Sequence, residues 1–375
     1  MDDLDDVLER SGTGEKAPAG GVGLCLSGGG YRAMLFHAGG LIRMNEAGLL
    51  ARLDRVSSVS GGSITAGALG LAWSRLAWDP RGVAGNLDEL VTAPLLDLAG
   101  HTIDVPSVLV GVVPGRIAGV AASRFRRRLF GDATLQSLPK DGEGPRFVIT
   151  ATNLSNGTLW RFSQPYMRDY RTPEIPEPTV PLADAVAASA AFPPVLSPFV
   201  LHPRRYAGGS NLDGVPERVA LTDGGVYDNL GVEPVWKRCP TVFVSDGGGP
   251  FEILAKPRKN WLSGTVRLLK VVDVQVRRRR RHQVLDGFVR GRRSGAYWGI
   301  SSLRRDFATP DKLAWTDAAT NDLALLSTRL GRLPVRTRRR VVNWGYAASD
   351  AALRTYYDPS IPAATAYPFP LEGVG

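Results

Sequence analysis

The feature that most constrains the fold is a strand, a glycine-rich turn and a helix, a pattern that occurs twice near the start of the chain. The run Val22–Leu26 is short and apolar, three successive glycines follow it, and apolar residues then recur at helical spacing up to Leu50. A second apolar run, Val56–Val59, leads through a Gly-Gly turn into a second helical pattern that ends near Ala77. Two such units in succession predict the opening of a parallel α/β sheet.

Later segments extend this sheet. An Asn-Gly pair between Phe147–Ala151 and Leu159–Phe162 predicts a β-hairpin. Two further apolar runs, Val219–Thr222 and Thr241–Val244, each lead into an Asp-Gly-Gly turn. We therefore predict an α/β fold, a three-layer sandwich in which helices flank a mostly parallel central sheet.

Composition divides the 375 residues into three parts. Residues 1–20 are acidic and rich in glycine and proline, and we expect a flexible tail. Residues 21–250 hold the predicted strands, and the strand-poor segment 79–145 reads as a cap or insertion. Residues 251–375 are basic, and we expect a mainly helical C-terminal extension packed on the domain.

Several classes of protein are excluded by composition. The two cysteines, Cys25 and Cys239, exclude a disulfide framework and a four-thiolate zinc site. The four histidines share no close spacing, so we expect no metal and no other cofactor. The N-terminus lacks the basic and apolar regions of a signal peptide, and prolines interrupt the longest apolar stretch, Val105–Ala122. We expect a soluble, cytoplasmic protein, with peripheral contact to a membrane left open.

Three turns are the candidate sites, because each follows the C-terminal end of a predicted parallel strand, the edge at which open α/β sheets bind ligands. In the first turn, Gly28, Gly29 and Gly30 can direct backbone amides toward one point at a helix N-terminus. Such a turn binds a phosphate or stabilises an oxyanion, and Arg32 adds a positive charge for a substrate anion.

The second turn has the layout of a nucleophile elbow, in which small-x-Ser-x-Gly joins a strand to a helix. It makes Ser60 the candidate nucleophile, although Ser58 stands where glycine is usual. Ser57, Ser58 and Ser63 are rival hydroxyls in the same segment.

A nucleophilic serine needs a base, and the Asp-Gly-Gly turns offer Asp223 and Asp246. Only His282 follows both acids, as a Ser–acid–His order requires, and it lies in a run of arginines. The alternatives are a Ser–Asp–His triad and a Ser–Asp dyad. A dyad would depend on its oxyanion hole, which contributes about 2.7–4 kcal/mol per donor.

These motifs together resemble the patatin-like phospholipase family. The resemblance rests on Gly-Gly-Gly-x-Arg, then x-Ser-x-Gly, then a distant Asp-Gly-Gly, and it spans residues 22–250. The Ala-rich helix and proline-rich loop at Ala187–Pro194 and the acid motif at Leu221–Asn229 are also similar to those of the family. Ser58 and Ala33 depart from the family's usual glycines.

The resemblance implies a patatin-like fold and a serine lipid acyl hydrolase of the phospholipase A or lysophospholipase type. It implies that Ser60 is the nucleophile and that Asp223, rather than Asp246, is its base. It assigns the oxyanion hole to the loop Gly28–Gly30. The implied substrate is a membrane phospholipid or another acyl-ester lipid, cleaved through an acyl-enzyme.

Charge is unevenly distributed. The formal net charge is +10, but residues 256–305 carry 15 basic and two acidic residues, a local net charge of +13. The arginine run in this segment is a candidate anionic-lipid surface, a solvated helix face or a nucleic-acid site. No motif with interleaved aromatic residues accompanies it, so we expect no nucleic-acid partner. The run consists of Arg277, Arg278, Arg279, Arg280 and Arg281.

Two alternatives remain open from sequence. The segment Val108–Ala122, followed by the basic stretch Arg124–Arg128, has the composition of an interfacial lid or of an internal cap helix. The alternative function is an inactive protein that binds anionic lipids or acyl chains, and a less favoured one is an arginine-rich nucleic-acid binder. The oligomeric state has no signal in the sequence.

Overall fold

The computed structural model describes residues 20–103, 116–193, 196–208, 212–251, 253, 256 and 261–375. Ten strands within these residues form one sheet. The strands are β1 (Val22–Leu26), β2 (Arg55–Val59), β3 (Arg146–Asn153), β4 (Thr158–Phe162), β5 (Tyr166–Arg168), β6 (Ile175–Pro176), β7 (Phe199–Leu201), β8 (Val219–Asp223), β9 (Thr241–Asp246) and β10 (Ser294–Gly299).

The sheet is mixed. Strands β10, β9, β1, β2 and β3 lie side by side and are parallel. From β3 onward the pairing is antiparallel, through β4 and β5 to β6 on one side and to β8 and β7 on the other. The predicted α/β sandwich is confirmed, and its parallel part holds the two strand–turn–helix units that open the chain.

Helices join and cover the strands. The helices of the described residues are α1 (Gly30–Glu46), α2 (Gly61–Ala72), α3 (Ala93–Leu98), α4 (Arg116–Phe125), α5 (Leu182–Ser189), α6 (Gly225–Asp228), α7 (Glu233–Trp236), α8 (Trp261–Val289), α9 (Asp317–Ala324) and α10 (Val335–Ala352).

The sheet separates two hydrophobic cores, because successive side chains of a strand point to opposite faces. On β1, Leu24 and Leu26 belong to the larger core, whereas Cys25 between them belongs to the smaller one. On β9, Phe243 faces the larger core and Val244 the smaller one. Apolar side chains on both faces explain why the parallel strands are continuous apolar runs.

Residues beyond 250 belong to the body of the fold. Strand β10 pairs with β9 and forms one edge of the sheet. Helix α10 crosses α1 at backbone contact, since a Cβ on Gly345 would lie 1.9 Å from the carbonyl oxygen of Phe36. A Cβ on Gly39 would lie 2.0 Å from the carbonyl oxygen of Val342. The prediction of an extension packed on a domain that ends at residue 250 is therefore incomplete, because residues beyond 250 supply an edge strand of the sheet.

In the segment predicted as a cap, 79–145, the described residues hold two α-helices, α3 and α4, and three short π- or 3-10 helices, Asp88–Thr92, Arg126–Phe130 and Leu135–Ser137. Helix α4 buries Ala118, Ala121, Ala122 and Phe125, which favours an internal cap helix over a lid for this part. Residues 104–115, with much of the apolar stretch, lie outside the described residues, as do residues 1–19 of the predicted tail. None of the helices in the described part of the chain is long and apolar enough to span a bilayer.

Candidate active site

Ser60 lies in a strained turn between β2 and α2. Its φ of 53° and ψ of −118° fall in a region that residues with a side chain rarely adopt. The next two residues must be glycine, because the backbone of another segment approaches them too closely for a side chain. A Cβ on Gly61 would lie 2.2 Å from the carbonyl oxygen of Gly30, and one on Gly62 would lie 2.3 Å from that of Leu26. This geometry is that of a nucleophile elbow.

The rival hydroxyls lie behind the elbow and are fully buried, whereas Ser60 is 8% exposed. The Ser63 hydroxyl donates to Ser58 Oγ at 3.0 Å and lies 2.9 Å from Ser189 Oγ. Ser189 Oγ also accepts from the amide of Ser60 at 2.9 Å. The neighbouring serines therefore support the turn from inside, and Ser60 is the hydroxyl at its tip.

Asp223 reaches Ser60 because two strands meet end to end along β3. Strand β2 pairs with β3 as far as Val59 opposite Thr150. Strand β8 approaches from the other direction and ends with Asp223 opposite Ala151, the next residue of β3. The strand register thus places the two residues next to each other, and a hydrogen-bonding interaction with the Ser60 side chain lowers the pKa of Asp223. The prediction that Asp223 follows a parallel strand is wrong, since β8 is antiparallel to both of its neighbours.

The carboxyl group of Asp223 is 3% exposed. The pKa of Asp223 is raised to about 7, mainly by burial and to a smaller extent by the nearby charge of Asp273, against the hydrogen bonds from Gly225 and Ser60. The amide of Gly225 donates to Oδ1 at 2.7 Å. A carboxylate that exchanges its proton near neutral pH has the property required of a general base.

The rival carboxylate, Asp246, has other partners. It ends β9, which is separated from β2 by β1. Its Oδ2 accepts from the Tyr297 hydroxyl at 2.7 Å, and its Oδ1 accepts from the amide of Gly248 at 2.8 Å. These contacts hold β9, β10 and the glycine turn together, and they leave Asp246 apart from the elbow.

No histidine among the described residues makes a hydrogen bond to Ser60 or Asp223. His282 is exposed on α8. His37 is buried, with Nδ1 2.7 Å from Ser245 Oγ and Nε2 2.9 Å from the carbonyl oxygen of Ser27. Burial lowers the pKa of His37 to about 4, so its ring is neutral. The triad alternative finds no support in this geometry.

The glycine loop matches the predicted oxyanion hole only in part. The amide of Gly28 donates to the carbonyl oxygen of Asn229 at 3.0 Å, so it is not available to an oxyanion, and the prediction fails for this residue. Within the described residues, no backbone carbonyl accepts from the amides of Gly29 or Gly30. Gly61, which the sequence analysis did not single out, packs against Gly30, and no backbone carbonyl among the described residues accepts from its amide. Gly61 directly follows Ser60 in the sequence, and the residue at this position of a nucleophile elbow contributes its amide to the oxyanion hole. That position is the sequence signal that could have identified Gly61.

Arg32 joins the glycine turn after β9 to the C-terminal part of the chain through hydrogen bonds. It is 3% exposed, and its guanidinium donates to the carbonyl oxygens of Gly247 at 3.1 Å and Ala324 at 3.0 Å, and to that of Leu326. Burial lowers the pKa of Arg32 to about 10, which leaves it charged at neutral pH. The predicted contact between Arg32 and a substrate anion is not supported, because the side chain is enclosed and bound to the loop and the C-terminal segment.

A partly buried Asn–Asp pair completes the surroundings of the site. The Asn229 Nδ2 donates to Asp273 Oδ1 at 2.9 Å. A Cβ on Gly28 would lie 3.3 Å from Ser60 Cβ and 3.4 Å from Asn229 Oδ1, so Gly28 separates the two side chains. Asp273 lies on α8, in the basic segment 256–305. The sequence analysis counted it as one of the two acidic residues of that segment and assigned it no role. A single sequence gives no signal for this long-range contact.

Comparisons with known proteins identify the family of the chain. The family model described as patatin-like phospholipase matches residues 24–236. A search of curated protein sequences gave no match.

Solved structures with a similar fold include the human GIVD cytosolic phospholipase A2, at 14% identity and a TM-score of 0.41, covering 67% of this chain and 48% of that chain. The same human protein in complex with methyl gamma-linolenyl fluorophosphonate gives 14% identity and a TM-score of 0.48, covering 90% and 57%. VipD from Legionella pneumophila gives 16% identity and a TM-score of 0.35, covering 88% and 66%. This chain thus spans about half the length of the human chains it matches.

The family match covers more than half of the chain and includes both the elbow and the acid motif. The chain therefore belongs to the patatin-like phospholipase family.

Proposed function

We propose that this protein is a serine lipid acyl hydrolase that uses a dyad of Ser60 and Asp223. The observation that carries the proposal is the end-to-end meeting of β2 and β8 on β3. It joins a serine in a strained turn to a carboxyl group whose pKa burial raises to about 7. Membership of a family of phospholipases supports an acyl-ester lipid as the substrate.

The reaction follows from these positions. Asp223 accepts the proton of the Ser60 hydroxyl as Oγ attacks the ester carbonyl carbon. The amides of Gly29, Gly30 and Gly61 stabilise the negative charge on the carbonyl oxygen, because they have no competing backbone acceptor in the described part of the chain. The ester C–O bond breaks, the leaving alcohol takes the proton from Asp223, and an acyl-enzyme remains. Water then attacks the acyl carbon while Asp223 takes its proton, the bond to Ser60 Oγ breaks, and Asp223 returns the proton to Oγ as the fatty acid is released.

Of the five arginines predicted to form a lipid-binding surface, three have partners within the protein. Arg280 lies 3.1 Å from Glu233, and Arg277 donates to the carbonyl oxygen of Gly249 at 2.7 Å. The guanidinium of Arg281 lies over the Tyr297 ring, 5.2 Å from its centroid. Arg278 and Arg279 are exposed. We assign contact with anionic lipid to these two residues rather than to the whole run.

A fluorophosphonate probe tests the nucleophile. We expect stoichiometric labelling of the wild-type protein, measured by intact mass, and complete loss of labelling in Ser60→Ala. Ser57→Ala is the matched control, because this buried hydroxyl lies on β2, the strand that leads to Ser60, and has no hydrogen-bond partner among the described residues. It should label like the wild type. A wild-type protein that folds but does not label would favour a lipid-binding protein without turnover.

Removing the charge of Asp273 should shift the pH dependence of hydrolysis. Because that charge raises the pKa of Asp223, Asp273→Asn should move the acid limb of kcat/KM to lower pH. The measurement is a pH profile with a soluble monomeric ester. Asp286→Asn is the control, since this carboxylate lies on the same helix but pairs with Arg290 at 2.7 Å. An acid limb that stays in place, or moves to higher pH, contradicts the coupling.

A further inference from the structure

Helix α8 has two different faces. Its inner face carries Asp273, Arg277, Arg280, Val284 and Gly287, which recur at helical spacing. Asp273 reaches the active site through Asn229, and Val284 is fully buried in the smaller core. A Cβ on Gly287 would lie 2.4 Å from the Trp236 ring. This face therefore fixes the helix against the protein.

The outer face is unusual because its first part is apolar. Leu268 is 62% exposed, Val271 38% and Val272 49%. These residues are spaced as one helical face, and Arg278 and Arg279 continue the same face toward the C-terminus, where both are exposed. Clusters of exposed aliphatic side chains mark interaction sites on proteins.

We propose that this interfacial face, defined as Leu268, Val271, Val272, Arg278 and Arg279, docks on an anionic lipid bilayer. Aliphatic side chains that enter the acyl boundary, with cations at the headgroup level, form the pattern of helices that lie in a membrane interface. The proposal rests on the proposed function, because it names the surface from which the lipid substrate is taken.

The positive charge of the interfacial face favours an anionic bilayer over a second copy of the chain as its binding partner. The surrounding segment, residues 256–305, has a net charge of +13. Two copies joined through this face would bring Arg278 and Arg279 of each close to the same cations of the other, whereas phosphate and carboxylate headgroups would neutralise them.

The face lies close to the candidate site in the sequence of α8. Val272, on the outer side, directly precedes Asp273, which contacts Asn229 beside the elbow. Docking would therefore place the membrane about one helix diameter, roughly 10–12 Å, from Asp273, and Asn229 and Gly28 lie between Asp273 and Ser60.

Vesicle flotation tests the proposal, with Ser60→Ala protein to prevent turnover. We expect binding to vesicles of phosphatidylcholine with phosphatidylserine, and much weaker binding to phosphatidylcholine alone. Arg278→Gln with Arg279→Gln should weaken binding about 30-fold, since each cation near an anionic surface contributes a factor of about five. Leu268→Ser with Val271→Ser and Val272→Ser should weaken binding at least about tenfold.

The matched control is Val335→Ser with Leu371→Ser, which alters two exposed apolar residues, 51% and 97% exposed, in and beside α10. Helix α10 packs in the larger core, on the opposite face of the sheet from α8. It should bind vesicles like the parent. Equal losses in the control and the face variants, or unchanged binding of the face variants, would overturn the proposal. So would a dimer, detected by light scattering, that the triple serine variant converts to a monomer.

The two proposals fail separately. With Ser60 intact, the face variants should hydrolyse a soluble monomeric ester at the wild-type rate and lose activity only on vesicles. A protein that binds vesicles through the interfacial face but hydrolyses neither substrate would overturn the proposed function alone. A protein that hydrolyses the soluble ester but binds vesicles independently of the face would overturn this inference alone.

Discussion

Asp223→Asn is expected to lower kcat/KM for ester hydrolysis by about 10⁴-fold, the upper end of what a general base contributes. The amide keeps the size of the carboxyl group, and its oxygen can still accept from the amide of Gly225. It cannot accept the proton of the Ser60 hydroxyl, so the attack on the carbonyl carbon loses its base. A soluble monomeric ester gives the cleanest measurement, because membrane docking does not enter the rate.

Asp246→Asn is the control that shows whether the loss of activity is specific to Asp223. It changes the same functional group at the other Asp-Gly-Gly turn, where the carboxylate binds Tyr297 and Gly248 and not Ser60. Its hydrolysis rate should stay within a few-fold of the wild type once folding has been verified by circular dichroism. If Asp246→Asn were inactive and Asp223→Asn active, the base would have to be reassigned.

The same Asp223→Asn substitution is expected to stabilise the folded protein above pH 7 by about 4 kcal/mol. Burial raises the pKa of Asp223 to about 7, from about 3.8 in an unfolded chain. Each unit of difference in pKa corresponds to about 1.4 kcal/mol. A carboxyl group with a raised pKa in the folded state favours folding below its unfolded pKa. That contribution is lost as the pH rises through the folded pKa. The wild type therefore loses stability between about pH 4 and pH 7, and the neutral amide does not.

Urea unfolding of both proteins at pH 4 and pH 8 measures this effect. The free energies of unfolding should be similar at pH 4, where Asp223 is mostly protonated in the folded wild type, and should diverge at pH 8 in favour of the variant. A difference that is the same at both pH values would show that the charge of Asp223 is not the cause. Together with the loss of activity, a gain in stability is the expected signature of a group kept for catalysis at the expense of the fold.

The local parts of the site were predictable from sequence. Ser60 and the glycines around it follow from short-range rules, because a sharp strand-to-helix turn admits only small neighbours. The paired strand–turn–helix units likewise predicted β1, β2 and the helices that follow them. These features depend on residues adjacent in the chain, so their physical cause is visible in a few letters.

The long-range parts were not predictable from pattern alone. The run before Asp223 has the composition of any buried strand, and only its pairing with β3 shows that it is antiparallel. Arg32 beside three glycines predicts an anion site equally well whether its guanidinium faces solvent or carbonyl oxygens. Asp273 joins the site through a single contact between distant segments. Such contacts depend on how elements pack, and local composition does not encode them.

The meeting of β2 and β8 on β3 has a consequence for how such proteins diversify. The spacing between Ser60 and Asp223 is fixed by backbone hydrogen bonds of three strands, and most of the polypeptide between these two residues has no part in that spacing. Insertions and replacements in the intervening segment can therefore accumulate during evolution without moving the hydroxyl away from the carboxyl group.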